Sequence, residues 1–222
     1  MPKKLAVYLE VADKKAFACA RDWPGWSRAG RNEDDALEAL VAYAPRYGAV
    51  AKRAGLPFDA PMGVDDLDLV ERLDGGAGTE FGVPSATPKA DARKLDPKEL
   101  DRQRALLEAA WATFDAAAEV ARGVELRKGP RGGGRDLDKM IGHVHEAEAA
   151  YLHQIGSRPP KGAEMAELRA ASLGALAALA DGQPPPNANR VKRPWVPRYF
   201  VRRSAWHALD HAWEIEDRAE PG

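Results

Sequence analysis

Four of the five histidines of this chain fall at informative spacing in two stretches with helical patterning: His143 and His145 in one, His207 and His211 in the other. His207 and His211 are four residues apart, so on a helix they project from one face about a turn from each other. Two imidazoles placed like this can grip one metal ion, as helical His-x-x-x-His sites do, and Glu214 and Phe200 share the face. A third ligand must come from another element, and the stretch 136–155 offers His143, His145 and His153. Its apolar stripe is Met140, Ile141, Val144, Tyr151, Leu152 and Ile155. At about 100° per residue, His145 lies roughly 80° from the stripe centre, His143 roughly 120° away on the other side, and His153 toward solvent. Periodicity alone therefore favours His145.

The other reactive residue types carry less. Cys19, the single cysteine, alternates with Phe17 and has no histidine near it in sequence, so it reads as a small buried strand residue. One cysteine also excludes an intramolecular disulfide framework and a cysteine-based zinc cluster. Gly132-Gly133-Gly134 lacks the Lys-Ser/Thr of a phosphate loop, and Gly76, Gly78 and Gly82 miss the dinucleotide spacing. Arg190, Lys192, Arg193, Arg198, Arg202 and Arg203 form a basic run interleaved with Trp195, Tyr199 and Phe200. Such a run serves either as a solvated helix entrance or as a grip for an anionic group. Trp111, Trp206 and Trp213 read as helix packing.

The elements that must position these residues divide at about 83–97. Before it, Leu5, Val7, Leu9 and Val11 alternate as a strand, and Phe17 and Cys19 as a second, with Asp13-Lys14 in the connecting turn. Asp22-Trp23-Pro24-Gly25-Trp26 is a turn, and a third short strand comes next over 26–29. Asn32 caps a helix with Glu33, Asp34 and Asp35 in its first turn, broken at Pro45 and continuing to Ala54. Leu67, Leu69 and, after a break, Leu73 allow a fourth strand. After the linker-like segment Val83–Ala90 the period is helical. Four helices are expected over about 96–121, 136–155, 163–180 and 198–218, with Gly123, Gly156 and Gly182 ending the first three. Gly129–Gly134 forms a loop, and Gln183–Pro197 a long connection. Four helices of this length suggest a four-helix bundle, whose core commonly houses metals.

Composition narrows the function classes. Lys+Arg 33 against Asp+Glu 34 argues against a globally basic nucleic-acid binder. No apolar run approaches the roughly 18 residues a membrane helix needs, and Met1-Pro2-Lys3-Lys4 leads into a strand pattern without a secretory core. The expectation is a soluble, cytoplasmic protein.

Two resemblances sharpen this. The alternating first strands, Trp23-Pro24-Gly25-Trp26 and the acidic helix start Glu33-Asp34-Asp35-Ala36-Leu37 resemble the HicB-like fold over about residues 3–55. Gly142-His143-Val144-His145-Glu146-Ala147-Glu148 and the segment Arg203–Arg218 resemble the DinB superfamily over about 96–222. Together they imply an α+β chain: a HicB-like β-β-β-α-β domain at 1–88, then an all-α, DinB-like four-helix bundle at 95–222. The DinB resemblance implies a three-histidine metal site on His143, His207 and His211, which replaces the periodicity choice of His145. Three neutral imidazoles suit zinc, nickel, copper or iron(II), with zinc or nickel expected, and leave an open position as catalytic zinc sites do. Asp210, Glu214 and Glu148 are candidates to accept hydrogen bonds from the outer imidazole nitrogens. No separate catalytic side chain is singled out. Relatives of the DinB-like bundle include thiol S-transferases and a mycothiol-dependent isomerase, which implies a low-molecular-weight thiol as partner. Arg198, Arg202 and Arg203 are candidates to hold an anionic part of a substrate. The alternative is a non-catalytic module whose HicB-like domain binds a protein partner while the bundle serves as scaffold. A homodimer fits either reading.

Overall fold

The computed structural model describes residues 4–128, 134–187 and 190–219. The chain is α+β, with a four-stranded mixed sheet followed by helices. The strands are β1 (Leu5–Val11), β2 (Ala16–Ala20), β3 (Ser27–Gly30) and β4 (Leu67–Asp74), in the order β3-β2-β1-β4. β4 is parallel to β1 and the other pairs are antiparallel. The expected loop at 129–134 lies outside the described residues except for Gly134, and the connection 183–197 is described except for 188 and 189.

Alternation gives the sheet two buried faces. Val7, Leu9, Ala16, Ala18 and Ala20 join the main core, whereas Tyr8, Phe17 and Cys19 form a second cluster with Trp206. The break foreseen after Leu69 is a bulge: Val7 pairs with Leu69 but Tyr8 with Glu71, so Val70 is the extra residue. One inserted residue reverses the facing of the strand beyond it. Leu67 and Leu69 accordingly pack on the main core and Leu73 on the second cluster.

Between β3 and β4 the chain forms two helices, α1 (Glu33–Ala42) and α2 (Ala44–Arg53), so the expected β-β-β-α-β order becomes β-β-β-α-α-β. Pro45 sits in the first turn of α2, where its missing N–H costs nothing, and so starts a helix instead of merely bending one. Asn32 caps α1 by accepting from the Asp35 N–H. A short helix, α3 (Ala77–Phe81), comes after β4.

The second segment carries α4 (Pro97–Val120), α5 (Leu137–Gln154), α6 (Met165–Ala180) and α7 (Pro197–Ala219), within two residues of expectation at every end. Asp96 and Asp136 cap α4 and α5 by accepting from the N–H groups of Glu99 and Lys139. α7 packs along α4, and also against α5 and α6. Its buried residues, from Tyr199 to Ile215, run almost all round the helix, the pattern of an element enclosed by others.

The core does not stop at residues 83–97; one hydrophobic cluster contains strand, α1, α2, α4 and α7 residues together. The Trp23–Trp26 turn makes the joint. Gly25 has φ +92°, and a Cβ there would lie 2.9 Å from both Ala205 and Leu209. Trp26 stacks on Tyr47 and donates through Nε1 to the Leu40 carbonyl, while the Tyr47 hydroxyl donates to the Pro24 carbonyl. Two buried charged groups hold the linker. Glu10 accepts from the Thr79 hydroxyl, the Ser85 hydroxyl and N–H, and the Ala86 N–H. Arg202 of α7 pairs with buried Asp91 through Nε and Nη2, and its Nη1 donates to the carbonyls of Ala20 and Arg21.

Removing one partner of a buried pair strands the other charge. Asp91→Ala is therefore expected to cost about 3–5 kcal/mol, measured by urea denaturation. Because the core is continuous, fluorescence and far-ultraviolet dichroism should report one shared transition. Two separated transitions would show that 1–88 and 95–222 fold independently, and a loss below about 1 kcal/mol would show that Asp91 is dispensable.

Candidate metal centre

α5 and α7 bring three of the candidate histidines together. The donor atoms offered by His143, His207 and His211 all lie within 4.8 Å of one another. The ring centroids are 4.9 Å apart for His143–His207, 5.1 Å for His143–His211 and 4.6 Å for His207–His211. His207 and His211 share a face of α7 because four residues are close to one turn; His143 faces them from α5. His207 is buried, whereas His143 and His211 are partly exposed, so the cluster reaches the surface on their side.

Hydrogen bonding separates these imidazoles from an ordinary packed histidine. His145, the residue periodicity preferred, faces the Ala163 carbonyl with Nε2 at 2.9 Å. It is a satisfied structural histidine tying α5 to the start of α6, a contact made by a loop and invisible to helical phase. His207 has no such partner. Its Nδ1 is buried with no hydrogen-bond partner among the described residues, and its Nε2 faces His143 Nε2 at 3.1 Å. Two ring nitrogens can share only one proton, whereas a cation accepts both lone pairs. Tetrahedral zinc–nitrogen bonds of about 2.0–2.1 Å place neighbouring donors roughly 3.3 Å apart, close to the 3.1 Å between the Nε2 atoms of His143 and His207. The residues fit a transition-metal ion.

Of the three acceptors considered, Glu214 is hydrogen-bonded to one of the clustered imidazoles. Its Oε2 accepts from His211 Nδ1 at 3.0 Å, leaving Nε2 of that ring for the cluster. Glu214 is in turn held by Arg218 Nη1 at 2.8 Å. These bonds, first that from His211, keep the Glu214 carboxyl below its ordinary range. Arg218 also donates to the carbonyls of Arg127 and Arg135. The other two candidates turn elsewhere: Asp210 pairs with Arg28 of β3, and buried Glu148 pairs with Arg169, its pKa pushed up to about 7 by burial.

Two of the three imidazoles are held neutral by their surroundings. Burial first, then the charges of His211 and Arg203, push the His207 pKa down to about 2. Burial and Arg135 lower that of His143. Neither ring has to lose a proton before binding a cation at neutral pH. Arg135, just N-terminal to α5, carried no sequence signal for this proximity, because it is fixed by the carbonyl contact with Arg218.

The three arginines considered as anion holders differ. Arg198 is engaged by Glu99 and the carbonyls of Arg93 and Lys94, and Arg202 by Asp91. Arg203 lies over the rings of Tyr151 and Trp206. Cys19 is fully buried with its pKa raised to about 11 by burial, so it is no nucleophile. No helix among the described residues is long and apolar enough to cross a membrane. The chain matches no protein-family model, no curated protein and no solved structure.

Two outcomes test the assignment. Alanine at His143, His207 or His211 should abolish stoichiometric zinc or nickel binding by metal analysis of untagged protein, while His145→Ala should keep the metal. Loss of metal in His145→Ala alone would transfer the role to that residue. The second concerns acid stability of the metal-free chain. Below about pH 6.5 the unfolded chain protonates His207 and the folded chain does not, so folding loses roughly 1.4 kcal/mol per pH unit from this group. The urea midpoint should therefore fall from about pH 6.5 to about pH 5.5, and His207→Gln should flatten the slope; an unchanged slope would refute the buried neutral imidazole.

Proposed function

We propose that this chain is a metal-dependent enzyme in which His143, His207 and His211 hold a divalent transition metal, zinc or nickel first, and that a low-molecular-weight thiol is its co-substrate. The facing Nε2 atoms of His143 and His207 carry this reading: they lie 3.1 Å apart, and the Nδ1 of the same His207 ring is buried with no hydrogen-bond partner among the described residues. On this reading α4 to α7 form a DinB-like four-helix bundle, and the N-terminal sheet with α1 is a HicB-like unit. The resemblance at His143-Val144-His145-Glu146 and at Arg203–Arg218 supplies the thiol-transfer chemistry.

When bound by these three imidazoles, a divalent ion would supply Lewis acidity that would lower the pKa of a thiol from about 8.5 toward neutrality. The chain's own residues do the rest. Glu214, braced by Arg218, fixes the His211 tautomer and ring orientation. Burial keeps His207 unprotonated. Tyr151, whose ring centroid is 5.6 Å from that of His207, walls the cluster from α5. The thiol gives its proton to solvent, and the thiolate sulfur forms a bond to an electrophilic carbon of the second substrate as the bond from that carbon to its leaving group breaks, the leaving group departing to solvent as an anion with the electron pair.

A cobalt-substituted protein tests this. Adding 2-mercaptoethanol should produce a sulfur-to-cobalt charge-transfer band that the His207→Ala variant lacks, and zinc-loaded protein should accelerate conjugation of the thiol to a small electrophile. If the spectrum does not change and no thiol is consumed, the thiol-transfer reading fails.

A further inference from the structure

Arg203 is the exception in the basic run. Arg198 and Arg202 have carboxylate and carbonyl partners, whereas Arg203 makes no hydrogen bond or ion pair among the described residues, and its Nη1 is buried without an acceptor. A buried N–H of a cation left unpaired is costly, more so than a neutral donor. The group is nonetheless fixed: its central carbon lies 4.6 Å from the Trp206 ring centroid and 5.2 Å from that of Tyr151. The two rings hold the charge in position, and neither side chain accepts a hydrogen bond from it.

Its place on α7 relates it to the histidines. Residues 203, 207 and 211 recur every four positions, and Arg203 is about 6 Å along the helix axis from His207. Tyr151 touches both, lying under the guanidinium and against the His207 ring. The Arg203 charge is felt at His207, and that of Arg135 at His143 and His207. A molecule that reaches the histidine cluster therefore has one fixed guanidinium at its side, with the Glu214 carboxylate turned to His211 and Arg218.

We propose that Arg203 anchors the carboxylate of a small anionic substrate whose other end reaches the His143–His207–His211 centre, so that the site selects carboxylate-bearing ligands over neutral ones. A planar carboxylate matches the donor fork of a guanidinium, a match an ammonium cannot reproduce. The span of about one helical turn favours a short chain between the carboxylate and the metal-directed atom. This assignment rests on the metal-centre reading but not on the co-substrate being a thiol.

Calorimetry on the zinc-loaded full chain separates the two. The probes are 3-mercaptopropionate, propionate and 2-mercaptoethanol, each with the natural chain, Arg203→Gln and Arg203→Lys. The acid thiol should bind at least about tenfold more tightly than the neutral thiol, the worth of one charge-assisted hydrogen bond. Arg203→Gln should erase that advantage, and Arg203→Lys should keep only part of it, with zinc stoichiometry unchanged in both. Arg203-dependent binding of propionate and 3-mercaptopropionate with equal affinity, and no binding of 2-mercaptoethanol, would uphold the anchor and refute the thiol reading. Equal affinity of the two thiols in the natural chain, an advantage that survives Arg203→Gln, or no Arg203-dependent binding of either carboxylate would overturn the anchor. Should Arg203→Gln fail to fold, the comparison of the two thiols on the natural chain and on Arg203→Lys still decides.

Discussion

A guanidinium taken out of water must find acceptors, and the burial of Arg202 organises much of this molecule. Its donors reach Asp91 in the linker and the carbonyls of Ala20 and Arg21 at the end of β2, so one side chain of α7 fastens three parts of the chain. Burial of such a pair is weak evidence for stability in itself, because desolvation offsets most of the attraction. Its contribution is position. With Arg202 fixed, α7 can rotate little, and Arg203, His207 and His211 on the same helix inherit that orientation.

The adjacent residues 202 and 203 show how neighbours on one helix come to different ends. About 100° of helical rotation turns Arg202 toward the sheet and Arg203 toward α5. One meets a carboxylate and the other meets two aromatic rings. The first is consumed by the fold, and the second is left with donor capacity beside the histidines. The histidines themselves divide in the same way: His145 spends its Nε2 on a backbone carbonyl, while His143 and His207 point theirs at each other.

Much of the architecture was legible because local rules decided it. Asn32, Asp96 and Asp136 followed by good helix formers mark starts that the structure keeps, and Gly156, with φ +76°, marks an end. The alternation at residues 5–11 and 16–20 marks strands. Less legible was anything set by contact between distant segments. Helical phase favoured His145, since the stripe of α5 says how buried a position is but not what lies opposite it. The motif around His143 carried that information instead. Glu148 and Asp210 stood as plausible partners of the imidazoles, yet Arg169 and Arg28, far away in sequence, claim them. Nor did the linker composition of 83–90 reveal that buried Glu10 binds Ser85 and Ala86.

Arg218 has a consequence beyond bracing Glu214. By donating to the carbonyls of Arg127 and Arg135, it fastens both ends of the stretch that joins α4 to α5. One guanidinium therefore ties together the residue that leaves α4, the residue that enters α5 and the carboxylate behind His211. A change at position 218 would reach the histidine cluster by two routes at once, through the orientation of the His211 ring and through the approach to the helix that carries His143.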